Sequence, residues 1–310
     1  MPHDFSAERP YYTFDSYIKR AFGRKLYRLA LSAGTTCPNR DGTAGAGGCI
    51  FCAGGAGAFA QSPQLPVAEQ IERAKARVSA KLRRAADGPS YIAYFQSYTG
   101  TYAPLPRLRA LFTEAVMHPD IAALSVATRP DCLDEQRVSL LESLSRIRPV
   151  WVELGLQSAN DGTARLCNRA YPTELFTAAA ARLCRRGLPV VAHVILGLPG
   201  ETRADMLATV DYLNRLRVDG VKFHLLHVLR GAQLARMPYT ALTMDEYIGH
   251  LIACLRRLSP RIVVHRITGD GPKSDLLAPL WGADKKRVLN AIHQRLRAEG
   301  AYQGMDYTPV

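Results

Sequence analysis

Three cysteines fall within sixteen residues: Cys37, then eleven residues, Cys49, then two residues, Cys52. The two-residue gap lets neighbouring thiolates serve one compact centre. The glycine-rich stretch with Gly42, Gly45, Gly47 and Gly48 can turn tightly enough to return Cys37 to it. Thiolates are the ligands of iron–sulfur clusters, which ordinarily take four. Three would leave one iron open, where chemistry can occur. A structural zinc site usually shows two close pairs of ligands, and a redox dithiol needs neither Cys37 nor the glycines. Both remain as alternatives to the cluster. The other four cysteines, at 132, 167, 184 and 254, are scattered, which does not suit the disulfide framework of a small secreted domain.

These residues need a scaffold. Short apolar runs at 27–31, 91–96, 122–127, 150–156, 190–196 and 221–228 alternate with helical stretches at 67–86, 105–117, 135–147, 173–186, 203–216 and 244–258. Strands separated by helices of that length form parallel βαβ crossovers. Six such units predict an α/β fold, a partial (β/α)6 barrel of the TIM type, with chemistry at the C-terminal ends of its strands. The expected division is a core with its N-terminal lead-in over 1–260 and an extension over 261–310 packed on it. That extension should hold a strand near 262–266, a Gly/Asp/Pro loop and a basic helix over 285–299.

The chain has 310 residues, 47% of them hydrophobic, which suffices for a sizeable core. No apolar run is long enough to span a bilayer and no secretory leader is evident, so no membrane partner and a cytoplasmic location are expected. The formal net charge of +13 favours a polyanionic partner, nucleic acid first. Arg73, Arg77, Lys81 and Arg84 follow helical spacing and should share one face. Lys75 and Arg83 add to that helix, and Lys285, Lys286, Arg287, Arg295 and Arg297 load the last one.

With these residues in view, the chain resembles the radical S-adenosylmethionine (SAM) superfamily, in which a motif of three cysteines follows the first strand. The eleven-residue gap exceeds the usual three and is similar to that of the branch holding the Elongator catalytic subunit, a tRNA wobble-uridine enzyme. The fuller resemblance is to the YhcC/YtqA-type subfamily. It rests on Thr13-Phe14, Cys37-Pro38-Asn39-Arg40, Cys49-Ile50-Phe51-Cys52, Tyr94-Phe95-Gln96-Ser97, Thr128-Arg129-Pro130-Asp131, Glu153-Leu154-Gly155-Leu156-Gln157-Ser158, Gly197-Leu198-Pro199-Gly200-Glu201 and His224-Leu225-Leu226-His227. Thr268-Gly269-Asp270 and Ala278-Pro279-Leu280-Trp281 extend it through the tail. One departure stands out: Asn168-Arg169-Ala170-Tyr171 replaces the usual Asn-Arg-Gly-His.

The resemblance implies a [4Fe–4S] cluster on Cys37, Cys49 and Cys52 and SAM chelated to the open iron. It also implies reductive cleavage of SAM to a 5′-deoxyadenosyl radical, and a one-electron reductant such as flavodoxin or ferredoxin. The SAM contacts it implies are Gln96, Ser97 and Thr99 near the ammonium and Ser125, Thr128, Glu153 and Gln157 near the ribose and carboxylate. Arg169 would pair with that carboxylate, and Phe51, Leu196 and Gly197 would lie along adenine. His224 and His227, with His193, are candidates for work on the substrate. The leading substrate is tRNA at the wobble uridine. A radical enzyme acting on a small metabolite or protein and a non-catalytic zinc-binding RNA adaptor are the alternatives.

Overall fold

The computed structural model describes residues 5, 8–54, 60–79, 90–269, 271 and 273–309. In chain order the elements are α1 (Phe14–Phe22), β1 (Tyr27–Leu31), α2 (Val67–Ser79), β2 (Tyr91–Phe95), α3 (Leu105–Met117), β3 (Ile121–Thr128), α4 (Glu135–Ser145), β4 (Val150–Gln157), α5 (Asp161–Leu166), α6 (Thr173–Arg185), β5 (Val190–Leu196), α7 (Arg203–Leu216), β6 (Gly220–Leu225), β7 (Val228–Leu229), α8 (Met244–Arg257), β8 (Val263–Arg266), β9 (Leu276–Ala278) and α9 (Lys285–Ala298). The six expected strands all form, with ends shifted by a residue or two. The expected run at 221–228 splits into β6 and the start of a small antiparallel pair, β7 with β9.

One parallel sheet carries the fold, in the order β1-β2-β3-β4-β5-β6-β8. Its terminal strands are not hydrogen-bonded to each other, yet Arg28 Nη2 of β1 stands 2.9 Å from His265 Nδ1 of β8. Side chains from opposite ends of the strand order can meet only if the sheet curls into an open barrel. Because β8 pairs with β6 through Gly220↔Val263 and Val221↔Val264, it is a seventh barrel strand. The expected boundary at 260 therefore falls just before a strand of the barrel sheet, which short β-branched runs in the tail did not distinguish from a packed-on extension.

Alternation along each strand sorts residues into two faces. Leu29, Leu31, Leu124, Val126, Val152, Leu154, Val194 and Phe223 point outward into the main core beneath the helices. Their neighbours Arg28, Ser125, Glu153, His193 and Lys222 therefore point into the barrel. The N-terminal end of the barrel is plugged: α1, capped by the Thr13 side chain on Ser16 N, lays Phe14, Tyr17, Ile18 and Phe22 against Trp151, Ile92 and Ala123. The ring centroids of Phe14 and Tyr17 lie 6.0 and 6.3 Å from that of Trp151, both edge-on. The other end, where the strands finish, is left for loops. No helix among the described residues is long and apolar enough to cross a membrane.

Candidate active site

The cysteine loop leaves β1 and is fastened at many points. Gly48 N donates to Asn39 O at 2.7 Å, Cys52 N to Cys49 O at 2.9 Å, and Arg40 Nη2 to Cys52 O at 2.7 Å. The buried Asn39 amide donates to Asn168 O at 2.6 Å and faces Cys49 Sγ at 3.6 Å. In return, Asn168 Nδ2 donates to Ala46 O and Gly48 O at 2.9 and 2.8 Å. Gly45 cannot be larger, because a Cβ there would stand 2.2 Å from Asn39 Oδ1 and 3.0 Å from Ala170 Cβ. The loop after β1 is thereby clamped to the loop after α5, where Asn168 and Ala170 hold left-handed backbone at φ 51° and 60°.

The chemistry of the three thiols indicates what they suit. Burial pushes the Cys49 thiol up to about 11, and the neighbouring Cys52 and Cys37 add to the effect, against Arg129 and the Asn39 amide. Three thiolates this close need a positively charged group among them. A single tetrahedral zinc, with Zn–S near 2.3 Å, would draw its sulfurs to roughly 4 Å from one another. Among the described residues, the only three metal-capable groups whose ligand atoms all lie within 4.8 Å of one another are Glu72, His118 and Asp120, so the cysteine trio is more widely spread than that. The spread fits a cluster better than one ion. The Glu72 group is itself occupied by Lys75, whose ammonium bonds Glu72 at 2.8 Å and also meets Asp120.

Below the mouth lies a polar belt that crosses the lumen. Glu153, 1% exposed, accepts from Ser125 Oγ at 2.8 Å through Oε1, while its Oε2 meets His193 Nε2 at 2.7 Å and the Lys222 ammonium. Lys222, equally buried, also donates to Tyr94 OH at 2.9 Å and lies 4.4 Å over that ring. Burial alone would raise Glu153, but Lys222 first, then His193 and Arg28, outweigh it and hold the carboxyl well below its usual range. Burial lowers Lys222 to about 7, with Glu153 opposing and Arg28 and Arg266 adding. Burial also lowers His193 to about 4, so the ring is neutral at pH 7. His224, 5.1 Å from His193 between ring centroids, shares the belt and is likewise held neutral by burial.

Several expected contacts are thus placed differently. Glu153 and Ser125 bind each other inside the barrel, with Glu153 in the middle of β4. Thr128 shares a 2.6 Å hydrogen bond with Thr101, whose hydroxyl also reaches Cys132 O. Arg169, 1% exposed, spends all five N–H groups on the protein: on Tyr171 O, Leu156 O, Ser158 O, Asp161 Oδ1 and Thr173 Oγ1. It has no donor left for a SAM carboxylate, because the chain turns back around it. Leu196 faces the outer core; its neighbour Ile195 instead packs with Phe51, Ile50 and Leu226 at the mouth. Gly197, at φ 87°, gives its carbonyl to Tyr239 OH at 2.6 Å.

Other expected residues do gather near the cysteine loop. The Gln96–Thr99 turn touches it through Thr99 N to Thr36 O, and Tyr98 OH to Gly54 O at 2.7 Å. Ser97 and Thr99 are buried there. His227 is clasped by glycines: a Cβ on Gly269, Gly271 or Gly282 would approach its ring to 2.4, 2.7 or 3.1 Å. The expected basic face on α2 is described only in part. Arg73 pairs with Glu69 at 2.7 Å and Lys75 is occupied, while Lys81, Arg83 and Arg84 lie outside the described residues.

Lys222, Arg28 and Tyr94 were not anticipated. A signal existed: in Val221-Lys222-Phe223-His224-Leu225 the polar residues alternate with apolar ones, the mark of a strand with one polar face. Asn39, Asn168 and Tyr171 belonged to matched or departing segments but carried no role of their own.

Comparison with known proteins agrees with this geometry. The family model described as "Radical SAM superfamily" matches residues 34–213, and "Radical_SAM C-terminal domain" matches 218–298. YtqA of Bacillus subtilis (strain 168) is 39% identical over 304 residues, covering 96% of this chain and 93% of that protein. A tRNA uridine(34) acetyltransferase of Methanocaldococcus infernus is 31% identical over 189 residues, 57% of this chain and 34% of that one. The solved structure of Methanocaldococcus infernus Elp3, 16% identical, superposes with a TM-score of 0.68 over 90% of this chain and 65% of its own, which shows a common fold. The matched core contains the three clamped cysteines and the barrel strands β2 to β5, and the chain belongs to the radical SAM superfamily of enzymes, alongside YtqA.

Proposed function

We propose that this enzyme holds a [4Fe–4S] cluster on Cys37, Cys49 and Cys52, binds SAM at the barrel mouth and acts on tRNA at a wobble uridine or its side chain. The observation that carries the reading is the clamped loop after β1, which holds Cys37, Cys49 and Cys52 at one end of a curled parallel sheet. When bound, the cluster would supply the electron that cleaves SAM, drawn from a reductant such as flavodoxin or ferredoxin. The protein's part is to orient and exclude water. Asn39 and Arg40 fix the thiol-bearing turn, Gln96–Thr99 lines it, and Phe51 with Ile195 forms an apolar wall. Gln157 and the neutral His224 remain as groups facing the lumen that could meet SAM or substrate.

The tRNA substrate is supported by charge and by likeness. The net charge is +13, and Lys285, Lys286 and Arg287 stand exposed in the first turn of α9. Cations there oppose the helix dipole, so they cost the helix and suit an outside anion. The partial relative named for tRNA uridine(34) adds to this. The test is mass spectrometry of tRNA nucleosides from cells lacking the protein, with wild-type and Cys49→Ala complementation. A uridine derivative missing in the deletion, restored by wild type and not by Cys49→Ala, supports the reading. An unchanged nucleoside profile turns it toward a small metabolite or protein.

A further inference from the structure

Tyr171 follows the left-handed Ala170 on the loop that clamps the cysteines, and its surroundings fix it tightly. Its ring is buried, with the guanidinium carbons of Arg129 and Arg169 4.7 and 4.6 Å from its centroid. Neither arginine can easily move. Arg129 is held by both oxygens of Asp131 at 2.9 and 2.6 Å and donates to Arg169 O at 3.1 Å. Arg169 is saturated as described above. The pair therefore sets the ring and aims its hydroxyl.

That hydroxyl donates toward Gly155 O at 2.8 Å and Gln157 Oε1 at 3.2 Å. Burial pushes the phenol well up, so it stays a donor. Gln157 ends β4 in left-handed backbone, φ 62°, which a residue other than glycine adopts at a cost. Its amide folds back over Gly155: a Cβ on Gly155 would stand 2.7 Å from Gln157 Nε2 and 3.2 Å from Tyr171 OH. Gly155 alternates with Glu153 on the lumen face, so Gln157 Nε2 lies where a lumenal side chain of residue 155 would be. Among the described residues no acceptor meets that nitrogen. A strained backbone, a glycine that makes room and a phenol that takes the oxygen end together leave the N–H end pointing at the space above the polar belt.

We propose that Tyr171 is a positioning residue that locks the Gln157 carboxamide so that its N–H donates to an oxygen of bound SAM. This rests on the function proposed above.

The experiment measures the equilibrium dissociation constant for SAM on anaerobically reconstituted protein of confirmed iron content. The variants are Tyr171→Phe, Gln157→Ala, and the two combined. Tyr171→Phe keeps the ring between its arginines and removes only the hydroxyl. Each single change should weaken SAM binding by about 3- to 10-fold, the worth of one neutral hydrogen bond. The double variant should bind no more weakly than Gln157→Ala, because Tyr171 acts through Gln157. Should Tyr171→Phe not fold, Gly155→Ala takes its place, its methyl displacing the same amide, with the same loss expected. Multiplying losses in the double variant, or unchanged affinity in Tyr171→Phe or Gly155→Ala, would overturn the positioning role while leaving the function proposal standing. A wild-type protein with a full cluster and no SAM binding would overturn both.

Discussion

The Glu153 carboxylate of β4 meets the Lys222 ammonium of β6 across the intervening strand β5, and each side chain is 1% exposed. The two side chains reach over β5 from the same lumenal face, so the pair ties β4 to β6. Removing one partner from a buried pair leaves an uncompensated charge, worth about 3–5 kcal/mol. Lys222→Met should lose stability on that scale in urea unfolding. Adding Glu153→Gln should recover most of it, since replacing both charges removes the unpaired one. Equal losses in the single and double variants would mean the pair does not act as one.

The belt also predicts a pH dependence. Folded His193 takes up a proton only near pH 4, whereas in the unfolded chain it does so near 6.5. Between these values the unfolded state binds more protons, so this residue's contribution rises with pH and is lost as pH falls from 6.5 toward 4. Glu201, raised to about 7 by burial, works in the opposite sense between about 4.5 and 7. The comparison is therefore between wild type and His193→Gln, whose amide can still donate to Glu153 without titrating. The urea midpoint of the variant should fall less between pH 7 and pH 5. Parallel curves would remove His193 as the cause.

Arg169 binds five groups spread over β4, α5 and the start of α6, so its role is to hold the loop that clamps the cysteines. Arg169→Ala leaves several buried acceptors unmet at about 1–3 kcal/mol each. A large drop in melting temperature is expected, together with poorer cluster retention. Normal stability with weakened SAM binding alone would reinstate the carboxylate-pairing role.

Lys285, Lys286 and Arg287 give the tRNA reading a separable test. Changing all three to Gln should weaken tRNA binding and reduce its log–log salt slope by about two to three units, each phosphate contact contributing a little under one. The same change relieves repulsion at a helix N-terminus, so stability should hold or rise slightly. Unaltered tRNA affinity would leave these residues as solubilising charge.

The barrel was readable in sequence because each crossover announces itself by a change of period, apolar runs of five to eight giving way to helical spacing. The trio Cys37, Cys49 and Cys52 likewise stands out by local spacing alone. What spacing does not carry is which of two neighbouring side chains looks inward at the mouth. Ile195 rather than Leu196 joins the Phe51 cluster, and Arg169 turns into its own loop to bond Leu156 O and Ser158 O. The Glu153–Lys222 pair joins residues 69 positions apart, a relation visible only once the sheet closes. The strand near 262–266 is also legible in sequence, while its pairing with β6 shows only in the folded sheet.

The most direct test of the central claim is iron and sulfide content after anaerobic reconstitution, in wild type and in Cys37→Ala, Cys49→Ala, Cys52→Ala and the exposed-site control Cys184→Ala. The account predicts about four irons and four sulfides per chain in wild type and in Cys184→Ala, with loss of the brown absorbance in each of the other three. Full iron retention in Cys49→Ala, or a colourless wild-type protein holding one zinc, would contradict it.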